Sequence, residues 1–220
     1  MDKLLVIVGP TAVGKTAVAI EVAKKLDGEI ISADSVQVYR GLSIGAAKPT
    51  IAEREAVPHH LLDIVNPTEN YTVADFQQDA TSVITEITKR GKLPILVGGT
   101  GLYVRAVVYG FAFSESGMDE QYRAKLQREA EVHGPEYVHR QLAELDPEAA
   151  AKLHPNDLRR VIRALEVYRH SRRTISEQQE ETPAQSVYNV LQFGLTMPRD
   201  ELYRRIAARV DLMLEAGLGA

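Results

Sequence analysis

The chain has 220 residues, 45% hydrophobic and 25% charged, a composition typical of one globular domain or of one domain with an inserted lobe. Its net charge of −4 excludes a global positive field for nucleic acid or membranes, so any polyanion site must be a local patch. The lack of cysteine excludes disulfides and thiolate chemistry, and the lack of a signal peptide or membrane-length apolar run predicts a cytoplasmic location away from membranes.

The first half of the chain alternates short apolar runs with helical periodicity. Residues 4–8 are continuously aliphatic, the pattern of a strand buried on both faces of a parallel sheet, and a helix is predicted to end at Leu26. Further strands are predicted at residues 29–33, 60–65 and 94–97, and a long helix runs between Thr72 as its cap and Gly91. This alternation predicts an α/β fold with a parallel sheet flanked by helices and ligands at the carboxyl ends of its strands.

The second half changes in character at about residue 116. Helical spacing dominates residues 119–132, 136–145, 147–153 and 156–170, before a strand-like run at 188–197 and an amphipathic helix. The sequence therefore predicts a core made of residues 1–115 and 186–220, with an all-helical lobe inserted at 116–185. Because the last helix stops right after its glycines without a closing element, the core is expected to be truncated at its C-terminal end.

A glycine-rich segment, GPTAVGKT, follows the first predicted strand. It matches the phosphate-binding pattern G-x-x-x-x-G-K-[ST] and lies between a strand and a helix, so the core is expected to be P-loop NTPase-like. Backbone N–H groups can face a diphosphate there, Lys15 can neutralise it, and Thr16 is placed to bind Mg²⁺. The predicted diphosphate- or nucleotide-binding residues are Gly9, Pro10, Thr11, Ala12, Val13, Gly14, Lys15 and Thr16. Such a cradle does not identify the group attached to the diphosphate.

Two other strand ends carry candidate chemistry. Asp34 ends the second strand, where it can take a proton from an attacking O–H or N–H group, or can merely cap the following turn. The fourth strand runs into Gly98, Gly99 and Thr100, where a hydrolysing NTPase usually carries a metal-binding Asp. These glycines can serve packing alone or let the backbone and Thr100 approach a ligand. The pattern favours a transferase over an ATPase.

A basic stretch marks the predicted helical lobe. Residues 159–173 hold six arginines against one acid, Glu166, a local charge of +5. Arg159 and Arg163 share a helix face and predict an edge that contacts phosphates, although a solvated face paired with the glutamates of the lobe is the alternative. On the last helix, Arg205 and Arg209 share a face, and one of them, preferably Arg209, is predicted to reach the diphosphate.

Six blocks of the sequence, in order from Gly9 to Tyr168, resemble the tRNA dimethylallyltransferase (tRNA isopentenyltransferase) family. They are GPTAVGKT, DSVQVYRGLSIGAAKPT, HHLLDI, YTVADFQQDA, LVGGTGLY and HPNDLRRVIRALEVY. The resemblance implies transfer of a dimethylallyl group from dimethylallyl diphosphate to the exocyclic N6 amine of the adenine next to the anticodon, releasing diphosphate. It implies Mg²⁺ as cofactor, dimethylallyl diphosphate and the tRNA anticodon loop as partners, and a monomer without an obligate protein partner.

The resemblance also implies residue roles. Asp34 would be the general base, Lys15 would stabilise the leaving diphosphate, Thr100 would orient the reacting groups, and Arg123 would serve catalysis or tRNA binding. The implied tRNA-binding residues are Asp34, Ser35, Val36, Gln37, Thr100, Arg123, Arg159, Arg160, Val161, Ile162 and Arg163. Two alternatives remain open: an ATP-dependent small-molecule kinase with Asp34 activating a hydroxyl, and a non-catalytic RNA-binding module with a vestigial loop.

Overall fold

The chain forms two compact units in its computed structural model, which describes residues 1–113, 119–180 and 185–219. The first unit comprises Met1–Phe111 and Ala184–Ala220, and the second comprises Ala112–Pro183. The boundary predicted between residues 115 and 116 lies outside the described residues. No helix in the described ranges is both long enough and apolar enough to cross a membrane.

The elements follow the predicted alternation and then the predicted run of helices. The first unit begins with β1 (Lys3–Val8), α1 (Lys15–Leu26), β2 (Gly28–Ala33), α2 (Ile51–Ala56), β3 (His59–His60), α3 (Val73–Lys89), β4 (Leu93–Gly98) and α4 (Gly101–Tyr109). The second unit holds α5 (Glu120–His133), α6 (Pro135–Leu145), α7 (Pro147–Lys152), α8 (Leu158–Ser171) and α9 (Ile175–Glu180). The first unit is completed by β5 (Asn189–Gly194) and α10 (Arg199–Glu215).

A parallel sheet organises the first unit, as the sequence predicts. Within the described residues it has five strands in the order β3-β2-β4-β1-β5, and every neighbouring pair is parallel. The last residues of four strands stand in one row, since Gly98 pairs with Val8 and Ala33, and Val8 pairs with Gly194. The loops that follow these strands therefore meet at one edge of the sheet, where ligands of such folds bind.

Helices cover both faces of this sheet, which explains the continuous aliphatic run of β1. Leu4 and Val6 pack with α3 and α4 on one face, whereas Leu5 and Ile7 pack with α1 on the other. Between α3 and α4 the Phe76 and Tyr103 rings stack with centroids 4.1 Å apart. A strand buried on both sides cannot alternate polar and apolar residues.

The start of α3 lies where the sequence predicts it. The hydroxyl oxygen of Thr72 accepts a hydrogen bond from the Asp75 backbone N–H at 3.3 Å. In return, the carboxylate of Asp75 accepts a hydrogen bond from the Thr72 backbone N–H at 2.7 Å. This reciprocal pair satisfies two N–H groups that the first helical turn leaves without partners, and the predicted cap is confirmed.

The predicted strand at 60–65 is wrong beyond His60. Leu61 and Asp63 adopt positive φ angles of 60° and 57°, which turn the backbone out of the extended conformation. The carboxylate of Asp63 is drawn into ion pairs with Lys48 at 2.6 Å and Arg54 at 3.0 Å. These contacts anchor the segment after β2, and β3 ends at His60, before the turn.

The second unit has a core of its own. Leu126 of α5, Leu142 of α6 and Leu165 of α8 are almost completely buried in one apolar cluster. Its described residues form helices and no strand, as the periodicity of the sequence predicts.

Candidate active site

The glycine-rich loop connects β1 to α1 in a conformation suited to anions. Ala12 and Gly14 have positive φ angles of 66° and 97°, and such turns direct successive N–H groups toward one side. Among the described hydrogen bonds, no backbone N–H from Thr11 to Thr16 donates to a backbone carbonyl. Gly14 also leaves the first turn of α1 without a side-chain cap. These free donors, at the positive end of a helix dipole, can bind a diphosphate.

Lys15 and Arg209 bring two cations to this loop. The ammonium of Lys15 donates hydrogen bonds to the carbonyl oxygens of Gly9 at 2.9 Å and Pro10 at 2.8 Å. Burial lowers the pKa of Lys15. The negative charge of Asp34 opposes this change, and the positive charge of Arg209 lowers the pKa further. The Nε of Arg209 is buried without a hydrogen-bond partner in the described part of the chain. A bound anion would give that N–H an acceptor and would stabilise both positive charges.

The glycine that opens the loop is required by close packing. A Cβ on Gly9 would lie 2.7 Å from the carbonyl oxygen of Leu195, the residue that follows β5. The loop is thereby held against the neighbouring strand end, so a larger residue would displace the diphosphate cradle.

Asp34 uses one carboxylate oxygen to shape its own turn. Oδ1 accepts hydrogen bonds from the backbone N–H groups of Val36 at 2.9 Å and Gln37 at 3.2 Å. The other oxygen, Oδ2, has no hydrogen-bond partner among the described residues, and Asp34 lines a cavity beside the loop. Capping and proton transfer are therefore compatible roles, because each requires a different oxygen.

Thr100 joins the end of β4 to the turn that carries Asp34. Its hydroxyl oxygen accepts a hydrogen bond from the Ser35 backbone N–H at 3.2 Å. Its own N–H donates to the carbonyl oxygen of Ala33 at 3.4 Å. Thr100 thus fixes the backbone on both sides of the candidate base.

The two glycines before Thr100 have different roles. A Cβ on Gly98 would lie 2.0 Å from the carbonyl oxygen of Ala33, so this glycine permits β2 and β4 to approach each other. A Cβ on Gly99 would lie 3.8 Å from the Nζ of Lys15, so this glycine borders the loop. The packing role is thus confirmed for Gly98, whereas the approach of this segment to a ligand stays a prediction.

The segment after Asp34 is stabilised by its own polar side chains. The Oε1 of Gln37 accepts a hydrogen bond from the Ser32 hydroxyl at 2.8 Å, and its Nε2 donates to the Ala46 carbonyl at 3.1 Å. The predicted RNA contact of Gln37 stays a prediction, and both ends of its side chain already have partners within the chain. Ser35 and Val36 are exposed.

A cavity of about 320 Å³ opens between this segment, the glycine-rich loop and α10. Its polar and charged lining side chains are Thr11, Asp34 and Arg209. The apolar ones are Val36, Ala46, Ile206, Val210 and Met213. The three from α10 lie on one helix face, at the spacing i, i+4 and i+7. The cavity thus combines an anion-binding part, a carboxylate and an apolar wall.

In the second unit, the predicted RNA-binding residues of α8 separate into two groups. Arg159, Arg160 and Arg163 are exposed, and Arg160 forms a surface ion pair of 3.2 Å with an acid of the preceding turn. Val161 and Ile162 are buried in the helical core, so their packing gives no support to a side-chain contact with RNA. The predicted basic edge consists of the arginines alone.

Arg123, predicted for catalysis or tRNA binding, is engaged inside the second unit. Its Nε and Nη2 each donate a hydrogen bond of 2.7 Å to the carboxylate of Glu166, which Arg163 also contacts. Burial alone would raise the pKa of Glu166, but hydrogen bonds from Arg123 and Arg163 lower it to about 2. Glu166 is therefore ionised at neutral pH.

The predicted magnesium site rests on Thr16. No group of three or more His, Asp or Glu side chains within the described ranges can hold a metal ion. Mg²⁺ commonly binds through one or two protein oxygens together with substrate phosphates and water, so such a group is not required. The hydroxyl of Thr16, on the first turn of α1, is partly exposed and takes no hydrogen bond from the described residues, which suits it as one ligand.

Comparison with known proteins identifies the relatives of this chain. A family model described as IPP transferase matches residues 37–220. The tRNA dimethylallyltransferase of Halalkalibacterium halodurans is 54% identical over 220 residues, covering 99% of this chain and 69% of the relative. The enzyme of that name from Bacillus subtilis is 50% identical over 215 residues, with 98% and 68% covered. The chain belongs to the IPP transferase family.

Solved structures of this family resemble the chain as well. The full-length tRNA isopentenylpyrophosphate transferase from Bacillus halodurans aligns with a TM-score of 0.67 at 51% identity, covering 99% of this chain and 68% of that one. A eukaryotic dimethylallyltransferase, described as acting on tRNA, aligns with a TM-score of 0.85 at 35% identity, covering 99% and 54%. The family membership and the α/β fold predicted from the sequence are confirmed.

Sequence reasoning does not identify two candidate functional residues, one in each unit. In the sequence Glu166 is one acid among arginines, although its position three residues after Arg163 is the spacing of an ion pair within a helix. The lining role of Met213 was also missed, because Leu212 and Leu214 beside it are equally apolar. Leu212 and Leu214 are 64% and 58% exposed, so the folded structure is needed to distinguish the cavity-lining face of α10 from its exposed face.

Proposed function

We propose that this chain transfers a dimethylallyl group from dimethylallyl diphosphate to the exocyclic N6 amine of the adenine next to the tRNA anticodon. The observation that carries the proposal is the cavity in which an anion-binding loop, a carboxylate and an apolar wall meet. Its volume of about 320 Å³ lies at the small end of the range for small-molecule sites, roughly 300–1,000 Å³. A diphosphate with a short branched hydrocarbon tail matches such a divided site.

The relatives support the same reaction over the kinase alternative. Those of Halalkalibacterium halodurans and Bacillus subtilis are named tRNA dimethylallyltransferases and cover nearly the whole chain. The apolar wall formed by Ile206, Val210 and Met213 also suits a prenyl tail better than the ribose and phosphates of a nucleotide.

The diphosphate of the donor would occupy the glycine-rich loop. Backbone N–H groups from Thr11 to Thr16, the ammonium of Lys15 and the unpartnered Nε of Arg209 would bind its oxygens. Bound Mg²⁺, with Thr16 as one ligand, would supply further positive charge to the diphosphate. These groups are in place before reaction, so they can stabilise the charge that develops as the diphosphate leaves.

Asp34 would act on the acceptor. An adenine amine is a weak nucleophile because its lone pair is delocalised into the ring. In the proposed step, Oδ2 of Asp34 accepts a proton from this amine while its nitrogen forms a bond to the allylic carbon. The bond between that carbon and the diphosphate oxygen breaks, and its electron pair leaves with the diphosphate. Thr100 would keep the turn of Asp34 in position through Ser35.

The tRNA would bind through charge and through an accessible base. Bases in an anticodon loop are partly unstacked, so moving one into a pocket costs only a few kcal/mol. The exposed arginines of α8, Arg159, Arg160 and Arg163, would contact phosphates of the RNA. We place the reaction in the cytoplasm, where mature tRNA is used.

A transfer assay with two labels tests the proposal. Dimethylallyl diphosphate labelled in its prenyl group should pass label to tRNA, and inorganic pyrophosphate should compete with the donor. Transfer of the γ-phosphate of ATP to a small alcohol, without prenyl transfer, would instead support a kinase. Binding of tRNA without either transfer would support the non-catalytic module.

A further inference from the structure

Glu166 of α8 is a fully buried carboxylate in the helical unit, with 0% of its surface exposed. Four hydrogen bonds satisfy it. Arg123 donates its Nε to Oε1 and its Nη2 to Oε2, both at 2.7 Å. Arg163 donates its Nη1 to Oε2 at 2.5 Å, and the backbone N–H of Asp119 donates to Oε1 at 2.9 Å.

The position of this carboxylate is unusual for a residue that only stabilises the fold. Removing an ionised carboxylate from water carries a large cost, and well-packed apolar residues often serve a core equally well. Val161, Leu165 and Val167 around it on α8 are apolar and buried. The charge of Glu166 therefore calls for a role other than filling the core.

The groups that Glu166 holds reach the surface. The side chains of Arg123 and Arg163 are exposed by 36% and 44%, whereas that of Glu166 is inaccessible. In the described part of the chain, the Nη1 of Arg123 and the Nε and Nη2 of Arg163 make no hydrogen bond. Two guanidinium groups that share Oε2 are thus fixed side by side with donors free for a ligand. Together with the Glu166 carboxylate, they carry a net charge of +1.

We propose that Glu166 is a positioning residue that orients Arg123 and Arg163 so that their free N–H groups bind neighbouring phosphates of tRNA. This inference rests on the proposed function, which supplies tRNA as the ligand. A long arginine side chain loses rotational freedom when it binds, and a buried partner that already fixes it lowers that cost. The planar donors of arginine also suit phosphate oxygens in two-point contacts.

The variant Glu166→Gln distinguishes a positioning role from a simple effect of charge, because the two explanations predict opposite changes in the KM for tRNA. It keeps the size of the side chain, raises the local charge by one, and removes the charged acceptor that holds both arginines. If only positive charge attracts the RNA, the KM for tRNA should fall. If Glu166 positions the arginines, the KM for tRNA should rise about 5- to 20-fold, as expected for losing a positioned contact, with the KM for dimethylallyl diphosphate unchanged.

Two further variants separate positioning from a loss of structure. Glu131→Gln, at an exposed residue of α5, changes the net charge equally and should leave the KM for tRNA within about twofold. In a background that carries both Arg123→Gln and Arg163→Gln, adding Glu166→Gln should raise the KM for tRNA much less than it does alone, because Glu166 acts through these two arginines. Should Glu166→Gln unfold by circular dichroism, Glu166→Asp is measured in its place, since it keeps the charge but is too short to hold both arginines.

The inference is overturned if a folded Glu166 variant binds tRNA as tightly as the unchanged protein, or more tightly. It is also overturned if Glu166→Gln raises the KM for tRNA by the same factor in the background that lacks both arginines. These outcomes leave the proposed function intact, because that function fails only if the unchanged protein transfers no prenyl group to tRNA.

Discussion

The hydroxyl oxygen of Thr100 accepts a hydrogen bond from the backbone N–H of Ser35 at 3.2 Å, which ties the end of β4 to the turn that follows β2. Asp34 directly precedes Ser35 in this turn, and its Oδ1 accepts hydrogen bonds from two N–H groups of the same turn. The candidate base is therefore held from two strands. Oδ2 is the oxygen that remains for an incoming proton.

Asp34→Asn should separate the two roles of this side chain. The amide oxygen of asparagine can still accept the hydrogen bonds from Val36 and Gln37, but the amide cannot take a proton. We expect kcat for prenyl transfer to fall about 100- to 10,000-fold, with the KM for dimethylallyl diphosphate nearly unchanged. Single-turnover transfer to tRNA measures this loss.

Asp27→Asn is the matched control for that variant. Asp27 lies directly before β2, at the opposite end of the strand from Asp34, and its side chain is 80% exposed. It should leave both kcat and the melting temperature close to those of the unchanged protein. A rate for Asp34→Asn within about threefold of this control would show that Asp34 is not the base.

The strands and phosphate loop could be predicted from the sequence because local physics fixes them. A buried parallel strand must be apolar throughout, as Leu4 to Val8 are, and a diphosphate loop needs Gly14 in a left-handed conformation. The end of β3 could not be predicted, since Leu61 and Asp63 adopt positive φ angles and Asp63 forms ion pairs with Lys48 and Arg54. Those partners lie 15 and 9 residues before Asp63, so the period-2 pattern of a strand carries no sign of them.

The candidate functional residues of the two units show the same limit. Asp34 could be proposed because a carboxylate at a strand end is a local signal. The apolar wall could not, because Met213 and Leu212 differ only in the direction that packing gives them. Glu166 was overlooked because its second arginine, Arg123, lies on another helix.

The lowered pKa of Lys15 should make diphosphate binding sensitive to pH. Only the protonated amine neutralises the ligand, and burial lowers the pKa of Lys15 below its usual value. As pH rises through this lowered pKa, binding must take up a proton, so the Kd for inorganic pyrophosphate should rise by up to about tenfold per pH unit. Calorimetric titration between pH 7 and pH 10 measures the change.

Lys15→Arg provides the reference for that titration. Arginine stays protonated over this range, and ionisation of the ligand itself affects both proteins equally. The Kd of the unchanged protein divided by the Kd of Lys15→Arg should therefore increase with pH. A ratio that stays constant would mean that the Lys15 amine remains protonated throughout or does not contact the diphosphate.

Gly98 and Gly101 should respond in opposite ways to an added methyl group. The Cβ of Gly98→Ala would lie 2.0 Å from a backbone oxygen of Ala33, so the strands must separate, at a cost of at least about 2–3 kcal/mol in the free energy of unfolding. Gly101 begins α4 with no atom within 4 Å of such a Cβ. Gly101→Ala should be neutral or stabilising by up to about 1 kcal/mol. Denaturant unfolding compares them, and equal losses would contradict the close approach of β2 and β4.

Met213 should limit the size of the prenyl donor. It lines the cavity from α10 together with Ile206 and Val210, so shortening it lengthens the apolar space beyond the diphosphate. With Met213→Ala, we expect the ratio of kcat/KM for geranyl diphosphate to that for dimethylallyl diphosphate to rise about tenfold or more. The smaller donor should lose a few-fold in kcat/KM, because it makes fewer apolar contacts.

Leu212→Ala tests whether that change in donor preference comes from the cavity. Leu212 is the next residue of the same helix, but it is 64% exposed and does not line the cavity. It removes a side chain of similar size, so any general effect on α10 should appear in both variants. If both variants change the donor ratio equally, the apolar wall does not hold the prenyl tail. A change confined to Met213→Ala requires the tail to lie against the inner face of α10, within reach of the diphosphate bound near Lys15.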